Sequence, residues 1–252
     1  LRGEGRAADL LIANNVLAHV PDLNGLVAGM AGLLKPGGLA VLEMPYLLDL
    51  IDRVEFDTIY HQHLCYFSLT ALDPLFRRHG LVIGDVRRLP IHGGSLRLRI
   101  QRAQAGRQRA SVDQVLREEQ RWGVEGPDRY QQFAERVQAI LQSLRELLGR
   151  LKQEEKRIAI YGASAKGNTL VSCLAMPPET FEFVVDRSPA KQGRYMPGNH
   201  LPIHEPQRLL DSQPDYALLL TWNFQEEILA QQAEYRRRGG RFILPLPEVR
   251  VV

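Results

Sequence analysis

The segment 157–169 reads Arg-Ile-Ala-Ile-Tyr-Gly-Ala-Ser-Ala-Lys-Gly-Asn-Thr. Its first five residues are mostly apolar, which predicts a short buried strand. Gly162 and Gly167 then bound a turn, and the following residues predict a helix that runs to about Leu174. A strand, a glycine turn and a helix in this order are typical of a doubly wound α/β domain.

The residues after this unit repeat the alternation of strand and helix. Further strands are predicted at Phe181–Asp186, Tyr216–Thr221 and Arg241–Leu244, and helices at Pro206–Leu210 and Phe224–Arg237. We therefore predict that residues 156–252 form a small doubly wound, Rossmann-like domain.

The first hundred residues also alternate between the two patterns. Strands are predicted at Ala8–Ala13, which reads as buried, and at Leu39–Met44, Leu81–Asp85 and Ser95–Gln101. One helix is predicted from Pro21-Asp22 to the stop signal Lys35–Gly38, and another from the Ser68 cap to His79-Gly80. This part of the chain is also predicted to be α/β.

Residues 102–155 differ from both flanks, because they are rich in Gln, Arg and Glu with a regular apolar stripe. The pattern predicts one or two long amphipathic helices, broken near residues 123–127. We interpret this stretch as a helical bridge between two domains.

The composition narrows the class of protein. Among 252 residues, 44% are hydrophobic and 24% charged, which is typical of a soluble globular protein. The net charge of +3 and the short run Arg236–Arg238 do not indicate a nucleic-acid partner. No apolar run approaches the roughly 20 residues of a membrane helix, and no signal peptide is recognisable. Cys65 and Cys173 lie far apart, so neither a disulfide framework nor a metal site is indicated, and we expect a cytoplasmic protein.

The glycine turn resembles two phosphate-binding motifs without matching either. Against the dinucleotide fingerprint, Ser164 replaces the second glycine, while Asp186 follows at about the distance of a ribose-binding acid. Against the P-loop, Asn168 stands where the lysine belongs, which argues against an NTPase. The turn still favours an anion at the helix N-terminus, although a tight turn without a ligand remains an alternative.

The densest group of proton-carrying side chains is the tetrad Tyr60-His61-Gln62-His63. Such a group indicates a site for acid–base chemistry, and a polar surface loop is the alternative. The His92–Ser95 turn and Trp222-Asn223, at the end of a strand, are further candidates. Their alternatives are an ordinary hairpin turn and a tryptophan packed at a sheet end.

Several of these segments together carry a resemblance to a known family. They are Ala13–Asp22, Asp57–Ser68, His92–Arg97, Gly162–Thr169 and Tyr216–Phe224. In their content and order, the chain resembles the S-adenosylmethionine-dependent C-methyltransferases of nucleotide-linked keto-deoxysugars, such as those that methylate C-3 of TDP-linked sugars.

The resemblance implies a three-part enzyme with a small zinc-binding N-terminal domain, a methyltransferase domain and a C-terminal Rossmann-like domain. The zinc-ligand cysteines and the glycine-rich cofactor loop have no counterpart in this sequence. We therefore expect this chain to be the C-terminal two-thirds of such an enzyme. Its first predicted strand, Ala8–Ala13, would be the fourth strand of the methyltransferase sheet. The expected fold is a partial class I methyltransferase domain over 1–101, the bridge over 102–155 and the Rossmann-like domain over 156–252.

The resemblance also implies roles for individual residues. His63 is the expected base, and Tyr60 and Gln62 are expected to orient the sugar or to hydrogen-bond an enolate oxygen. The family commonly has glutamate where this chain has Gln62, so a carboxylate is lost there. The remaining expectations are cofactor contacts by Asn14, Asn15 and His19, nucleotide diphosphate contacts by Ser164, Lys166, Asn168 and Arg187, and sugar contacts by His92 and Ser95.

The expected ligands are S-adenosylmethionine and a nucleotide-diphosphate sugar, bound by a monomer that uses no metal of its own. Two other functions stay open at this point. One is an NAD-dependent sugar-nucleotide oxidoreductase or epimerase that uses Gly162–Gly167 and Asp186. The other is a non-catalytic fragment that binds sugar nucleotides.

Overall fold

The structure is a computed structural model that describes residues 7–252. Residues 1–6, which open the predicted domain 1–101, lie outside the described residues. The chain groups into two compact units. The first contains the described residues up to Arg53 together with His61–Phe133, and the second contains Val54–Tyr60 together with Ala134–Val252.

The first unit is built from a mixed sheet and helices. Its elements are β1 (Ala8–Asn14), α1 (Leu23–Leu33), β2 (Leu34–Pro45), α2 (Leu47–Asp52), α3 (Leu69–Arg78), β3 (Leu81–Leu89), β4 (Ser95–Arg102) and α4 (Ala110–Trp122). Two of its helices begin at side-chain caps. Asp22 accepts a hydrogen bond from Gly25 N at 2.8 Å, and Ser68 Oγ accepts one from Ala71 N at 3.2 Å.

The strands of this unit are ordered β1-β2-β4-β3, with β1 and β2 parallel and β4 antiparallel to both of its neighbours. The alternation predicted for β4 is confirmed, because Leu96, Leu98 and Ile100 are all fully buried. Helices α1, α3 and α4 cover the sheet and complete its core.

The prediction of a buried first strand is wrong. Leu10 and Ile12 of β1 are 54% and 62% exposed. Among the described strands, β1 pairs only with β2, and its apolar side chains reach solvent because no described element covers them. An apolar run predicts a strand, but its burial depends on what packs against it.

The second unit contains the end of the long helix α5 (Asp128–Gln153), which the division crosses after Phe133. Its other elements are β5 (Ile158–Tyr161), α6 (Ala165–Leu174), β6 (Val184–Val185), β7 (Ile203–His204), α7 (Gln207–Ser212), β8 (Tyr216–Leu219), α8 (Gln225–Gln231), α9 (Ala233–Arg237), β9 (Arg241–Leu244) and β10 (Arg250–Val251). The predicted helices around residues 123–127 are confirmed. Helix α4 ends at Gly123, which has the left-handed conformation (φ 86°) usual for such an end.

The second sheet has the order β10-β9-β8-β5-β6-β7. Strands β5 to β9 are parallel, and only β10 is antiparallel to its neighbour. The order reverses direction between β5 and β8, which defines a doubly wound sheet and its topological switch point. The α/β prediction is therefore confirmed, and the crevice at this switch point is where such sheets bind ligands.

Several predicted boundaries need correction. The strand predicted at Phe181–Asp186 is reduced to β6, although Glu182 N and Phe183 O also hydrogen-bond to β5. The helix predicted at Phe224–Arg237 is two helices, because Gln232 between them has a non-helical ψ of 25°. Helix α1 ends at Leu33, before Lys35–Gly38 as predicted, but strand β2 begins at Leu34 rather than at Leu39. The short elements α2, β7 and β10 were not predicted from the sequence.

Glu119 holds the start of α3 inside the first unit. It is fully buried, and its carboxylate accepts hydrogen bonds from the backbone of Leu69 at 2.6 Å and of Thr70 at 2.7 Å, and from the Thr70 hydroxyl. Negative charge at a helix N-terminus is stabilised by the free N–H groups there. Within residues 7–252, we find no helix with the length and apolarity to cross a bilayer.

We expect Glu119→Ala to lower the free energy of unfolding by about 2–4 kcal/mol, because it leaves buried N–H donors without acceptors. Urea denaturation measures this change. The control is Glu118→Ala, which removes the neighbouring carboxylate and its ion pair with Arg88, and should cost less than about 1 kcal/mol. Equal losses in the two variants would contradict the capping role of Glu119.

Candidate active site

Two histidines predicted for different roles lie together in the first unit. The rings of His19 and His63 have centroids 5.0 Å apart, and Tyr66 packs edge-on at 6.3 Å from His63. The His19 Nδ1 donates to the backbone carbonyl of Gln62 at 2.8 Å. Leu64 N also donates to Ala18 O at 2.7 Å. The loop that follows β1 and the segment that carries His63 therefore hold each other in place.

The predicted cofactor residues follow the carboxyl end of β1. Asn14, Asn15 and His19 are all exposed. Asn15 has a positive φ of 54°, a conformation that asparagine tolerates better than most residues, and its N–H donates to Glu43 O at 2.7 Å. Their side chains are thus available to a ligand at the end of two parallel strands, the usual position for one.

The glycine turn needs both of its glycines. Gly162 has a φ of 99°, and a Cβ there would lie 2.6 Å from a methyl group of Thr221. A Cβ at Gly167 would lie 2.7 Å from the Cβ of Leu220, so α6 packs directly against the end of β8. This close packing places the N-terminus of α6 at the switch point of the second sheet.

The polar groups of the glycine turn form hydrogen bonds with other groups of the protein. Ser164 caps α6, because its Oγ accepts from Gly167 N at 3.0 Å. The Asp186 carboxylate accepts from Ala163 N and Ser188 N, each at 2.8 Å, and from Lys191 Nζ at 3.2 Å. These bonds use three of the roughly four acceptor positions of a carboxylate, so Asp186 holds the turn in place.

A cavity of about 180 Å³ opens at this switch point. It is lined by Tyr161, Gly162, Asp186, Arg187, Thr221, Phe224, Glu227 and Ile228. Phe224 is 49% exposed and offers an aromatic face. Arg187 is the only basic residue among those that line the cavity, and its guanidinium forms an ion pair with the Glu227 carboxylate at 2.7 Å. A cavity of this kind suits an aromatic ring with an attached anion.

Lys166 does not line this cavity, and its ammonium is bound by protein groups instead. It donates to Asn223 Oδ1 and lies 3.7 Å from the centroid of the Trp222 ring. Burial lowers the pKa of Lys166 to about 8, although the charges of Asp57 and Glu55 oppose this shift.

Asp57 completes this group and was not predicted as a site residue. It is fully buried, and its Oδ2 accepts from the Trp222 indole N–H at 2.7 Å. Burial raises the pKa of Asp57 to about 6, against the opposing effect of Lys166. Asp57 and Trp222 are 165 positions apart, so no local sequence signal could have paired them.

Tyr60, the first residue of the tetrad, belongs to the second unit and lies near Asp57 in the chain. Burial, followed by the charge of Asp57, raises the pKa of the Tyr60 phenol above its ordinary value. The phenol therefore holds its proton more firmly than a solvent-exposed tyrosine does.

The other predicted site residues have varied surroundings. The Asn168 Oδ1 is buried and has no hydrogen-bond partner among the described residues. His92 is exposed in a left-handed conformation (φ 54°). Ser95 is fully buried, and its hydroxyl donates to Ile91 O at 3.2 Å, so it stabilises the turn that carries His92. Within the described part of the chain, no group of three or more His, Cys, Asp or Glu side chains is arranged to bind a metal ion.

The family follows from comparison with known sequences. Residues 90–247 match the C-methyltransferase C-terminal domain, and residues 2–85 match a methyltransferase domain. The first of these matches alone covers more than half of the chain, so the protein belongs to the C-methyltransferase family.

Among individual proteins, the chain is 38% identical over 246 residues to the C-methyltransferase NovU of Streptomyces niveus. The match covers 97% of this chain and 59% of NovU, so the chain spans a little over half the length of that relative.

Two solved structures show weaker likenesses. The M1.HpyAVI–SAM complex is 16% identical, with a TM-score of 0.26 over 41% of this chain and 48% of that one. An O-methyltransferase family protein from Burkholderia thailandensis is 21% identical, with a TM-score of 0.30 over 40% of this chain and 32% of that one.

The raised pKa of Asp57 predicts a pH dependence of stability. A carboxyl group that binds its proton more tightly when folded stabilises the fold below its unfolded pKa, and this contribution is lost as the pH rises through about 6. Relative to Asp57→Asn, the unmodified protein should therefore lose roughly 1–3 kcal/mol of unfolding free energy between pH 4 and 7. Urea denaturation at several pH values measures the difference.

The matched control is Asp211→Asn, which removes an exposed carboxylate of the same unit. This variant should keep the pH dependence of the unmodified protein. If Asp57→Asn also keeps it, the carboxyl group of Asp57 does not titrate as described.

Proposed function

We propose that this chain carries the substrate-binding and base residues of an S-adenosylmethionine-dependent C-methyltransferase. Its substrate is a nucleotide-linked deoxysugar, methylated on a carbon next to a ketone. The observation that carries the proposal is the pairing of His19 with His63. His19 lies in the loop that follows β1, a parallel strand of the region that matches a methyltransferase domain. We retain the division into domains 1–101, 102–155 and 156–252 as part of the proposal.

The reaction requires a base, because a proton on a carbon next to a ketone is only weakly acidic. In the proposal, His63 accepts this proton, and the electron pair of the C–H bond moves into an enolate. A histidine suits this role, since its ordinary pKa is near neutrality. The T-shaped contact with Tyr66 and the neighbouring His19 ring fix the orientation of the His63 imidazole.

The enolate oxygen needs hydrogen-bond donors while its negative charge develops. Tyr60 supplies a phenol O–H and Gln62 an amide N–H. Gln62 is exposed, while its backbone carbonyl is held by His19. An amide keeps the hydrogen-bonding capacity of this position but not the charge of the glutamate that the family commonly has there.

The residues after β1 fit one side of a cofactor site, because Asn14, Asn15 and His19 are exposed polar side chains at the carboxyl end of parallel strands. When bound, S-adenosylmethionine supplies the electrophilic methyl group. The role of Asn14, Asn15 and His19 is to bind and orient it.

The nucleotide is assigned to the cavity at the switch point of the second sheet. In this assignment Phe224 stacks on the nucleotide base. Arg187 gives up its ion pair with Glu227 and binds a phosphate instead. Ser164, Lys166 and Asn168 support the diphosphate at the N-terminus of α6, where N–H groups and the helix dipole favour an anion. Ser164 and Lys166 act there chiefly by fixing the turn, since both already have protein partners. His92 and Ser95 are assigned to the sugar.

The base can be tested in the complete gene product by methyl transfer from labelled S-adenosylmethionine. We expect His63→Ala to lower turnover by roughly 10²- to 10⁴-fold, the usual contribution of a positioned base. Binding of thymidine diphosphate should stay unchanged. His61→Ala, which removes the neighbouring histidine, should retain most of the activity, and near-normal turnover in His63→Ala would exclude His63 as the base.

The nucleotide site can be tested on this chain alone by calorimetry with thymidine diphosphate. Stacking of a base on an aromatic side chain is worth roughly 1–3 kcal/mol, so Phe224→Ala should weaken binding about 5- to 150-fold. The control is Tyr195→Ala, which removes an aromatic side chain that is 65% exposed and does not line the cavity.

Equal affinities of the Phe224→Ala and Tyr195→Ala variants for thymidine diphosphate would show that the thymine ring does not stack on Phe224. Binding of NAD in place of thymidine diphosphate would support the oxidoreductase, and binding of the nucleotide without any methyl transfer would support the non-catalytic fragment.

A further inference from the structure

The turn between β3 and β4 holds an exposed histidine in a strained backbone conformation. Its residues, Ile91–Gly94, form the His92 turn. His92 has a φ of 54° and a ψ of 33°, which lie in the left-handed region. A Cβ atom makes this region unfavourable, whereas glycine occupies it freely. Residues are kept in such conformations by their surroundings, and they are concentrated at functional sites.

Hydrogen bonds to three carbonyl groups fix the backbone on both sides of His92. Arg53 lies at the C-terminal end of α2, and its Nη1 donates to Gly93 O at 2.5 Å. Tyr46 N donates to Gly94 O at 3.0 Å, and Gly94 N donates to Ile91 O at 2.9 Å. Arg53 supplies the only one of these three bonds that comes from a side chain.

Asp49, one helical turn before Arg53, supports this contact. Its buried carboxylate accepts a hydrogen bond from Arg88 Nη2 at 2.7 Å, and the same oxygen lies 3.9 Å from Arg53 Nη2. Asp49 also fits directly against the His92 turn, because a Cβ at Gly94 would lie 2.4 Å from Asp49 Oδ2. One carboxylate therefore orients the Arg53 guanidinium and packs against the turn that Arg53 binds.

The arrangement favours a functional role for the His92 imidazole. Glycine at position 92 would keep every backbone hydrogen bond of the turn without the strain. The fold nevertheless keeps a strained residue whose side chain is exposed, and it buries the Asp49 carboxylate beside it. Burial of a charge is costly even when the charge is paired. Both costs are explained if the exposed imidazole binds a ligand.

We propose that Arg53 and Asp49 are positioning residues that fix the His92 imidazole to hydrogen-bond the sugar of the substrate. Arg53 acts by binding the backbone of the His92 turn, and Asp49 acts by orienting Arg53 and packing against the turn. This inference rests on the proposed function, in which His92 is assigned to the sugar. An imidazole that is already fixed binds the sugar without a cost of ordering, and it holds the reacting carbon in one position.

The variant His92→Gly separates the role of the imidazole from folding. Glycine relieves the left-handed strain, so the urea midpoint of this chain should stay the same or rise. In the complete gene product, kcat/KM for the nucleotide sugar should fall roughly 5- to 150-fold, the effect of leaving a hydrogen-bonding group of the sugar unpaired. Unchanged kcat/KM removes His92 from the sugar site and overturns the inference with it.

The hold on the turn is measured on this chain by hydrogen exchange of the Tyr46 and Gly94 amides. Arg53→Met keeps the length of the side chain but removes its donors, so both amides should exchange roughly 2- to 10-fold faster. The matched control is Arg117→Met, which removes an exposed arginine of α4 and should change neither rate. Unchanged exchange in Arg53→Met overturns the proposal, and this result needs neither substrate nor methyl donor.

The positioning role is tested by the coupling between Arg53 and His92 in methyl transfer. Arg53→Met should lower kcat/KM on the order of 10-fold, because it misplaces the imidazole. In the His92→Gly background the same change should cost less than about twofold, since the residue that Arg53 positions is gone. Asp49→Asn should show the same coupling, and Arg53→Lys, which keeps the charge, should recover part of the activity.

Equal losses from Arg53→Met in the two backgrounds overturn the positioning role and leave the proposed function intact. The Asp49→Asn variant gives a second reading if circular dichroism shows that Arg53→Met is misfolded. An unmodified protein that transfers no methyl group to a nucleotide sugar overturns the proposed function and, with it, this inference.

Discussion

The close approach of α6 to the end of β8 is the constraint on which the second unit depends. Gly167 has no space for a side chain against Leu220, and Gly162 has none against Thr221. The two glycines bring the strand–turn–helix unit onto β8 at the switch point of the sheet. The cavity, the cap at Ser164 and the contact of Lys166 with Trp222 all follow from that approach. A larger residue at either position would separate the elements that form the cavity wall.

Polar groups in this protein fall into those that hold the structure and those that are left for a ligand. Asp186 and Ser95 resemble site residues in the sequence, yet their hydrogen bonds are made within the fold. His19, by contrast, uses one ring nitrogen to fix the backbone of Gln62 and keeps the other for further contacts. The hydrogen bond from His19 therefore fixes the loop while one ring nitrogen stays available for another contact.

Local signals in the sequence predicted local structure well. The Ser68 cap, the break after Trp122 and the alternation in β4 depend on neighbouring residues, and all are present. What depends on distant residues was not predicted. The Asp57–Trp222 hydrogen bond spans 165 positions, and the exposure of Leu10 and Ile12 depends on which elements cover β1. The roles of His63, Tyr60 and Gln62 came from resemblance and remain predictions, although the structure does bring His63 and His19 together.

The exposed apolar side chains of β1 have a practical consequence. Leu10 and Ile12 project from a strand that pairs on one side only among the described residues, and Asp9 is the only charged residue of that strand. Strands of this kind pair readily with strands of other molecules, and native proteins usually block such pairing with charged residues or proline. When this chain is produced by itself, aggregation should therefore begin at β1. Lysine in place of Ile12 is the change best suited to keep it in solution.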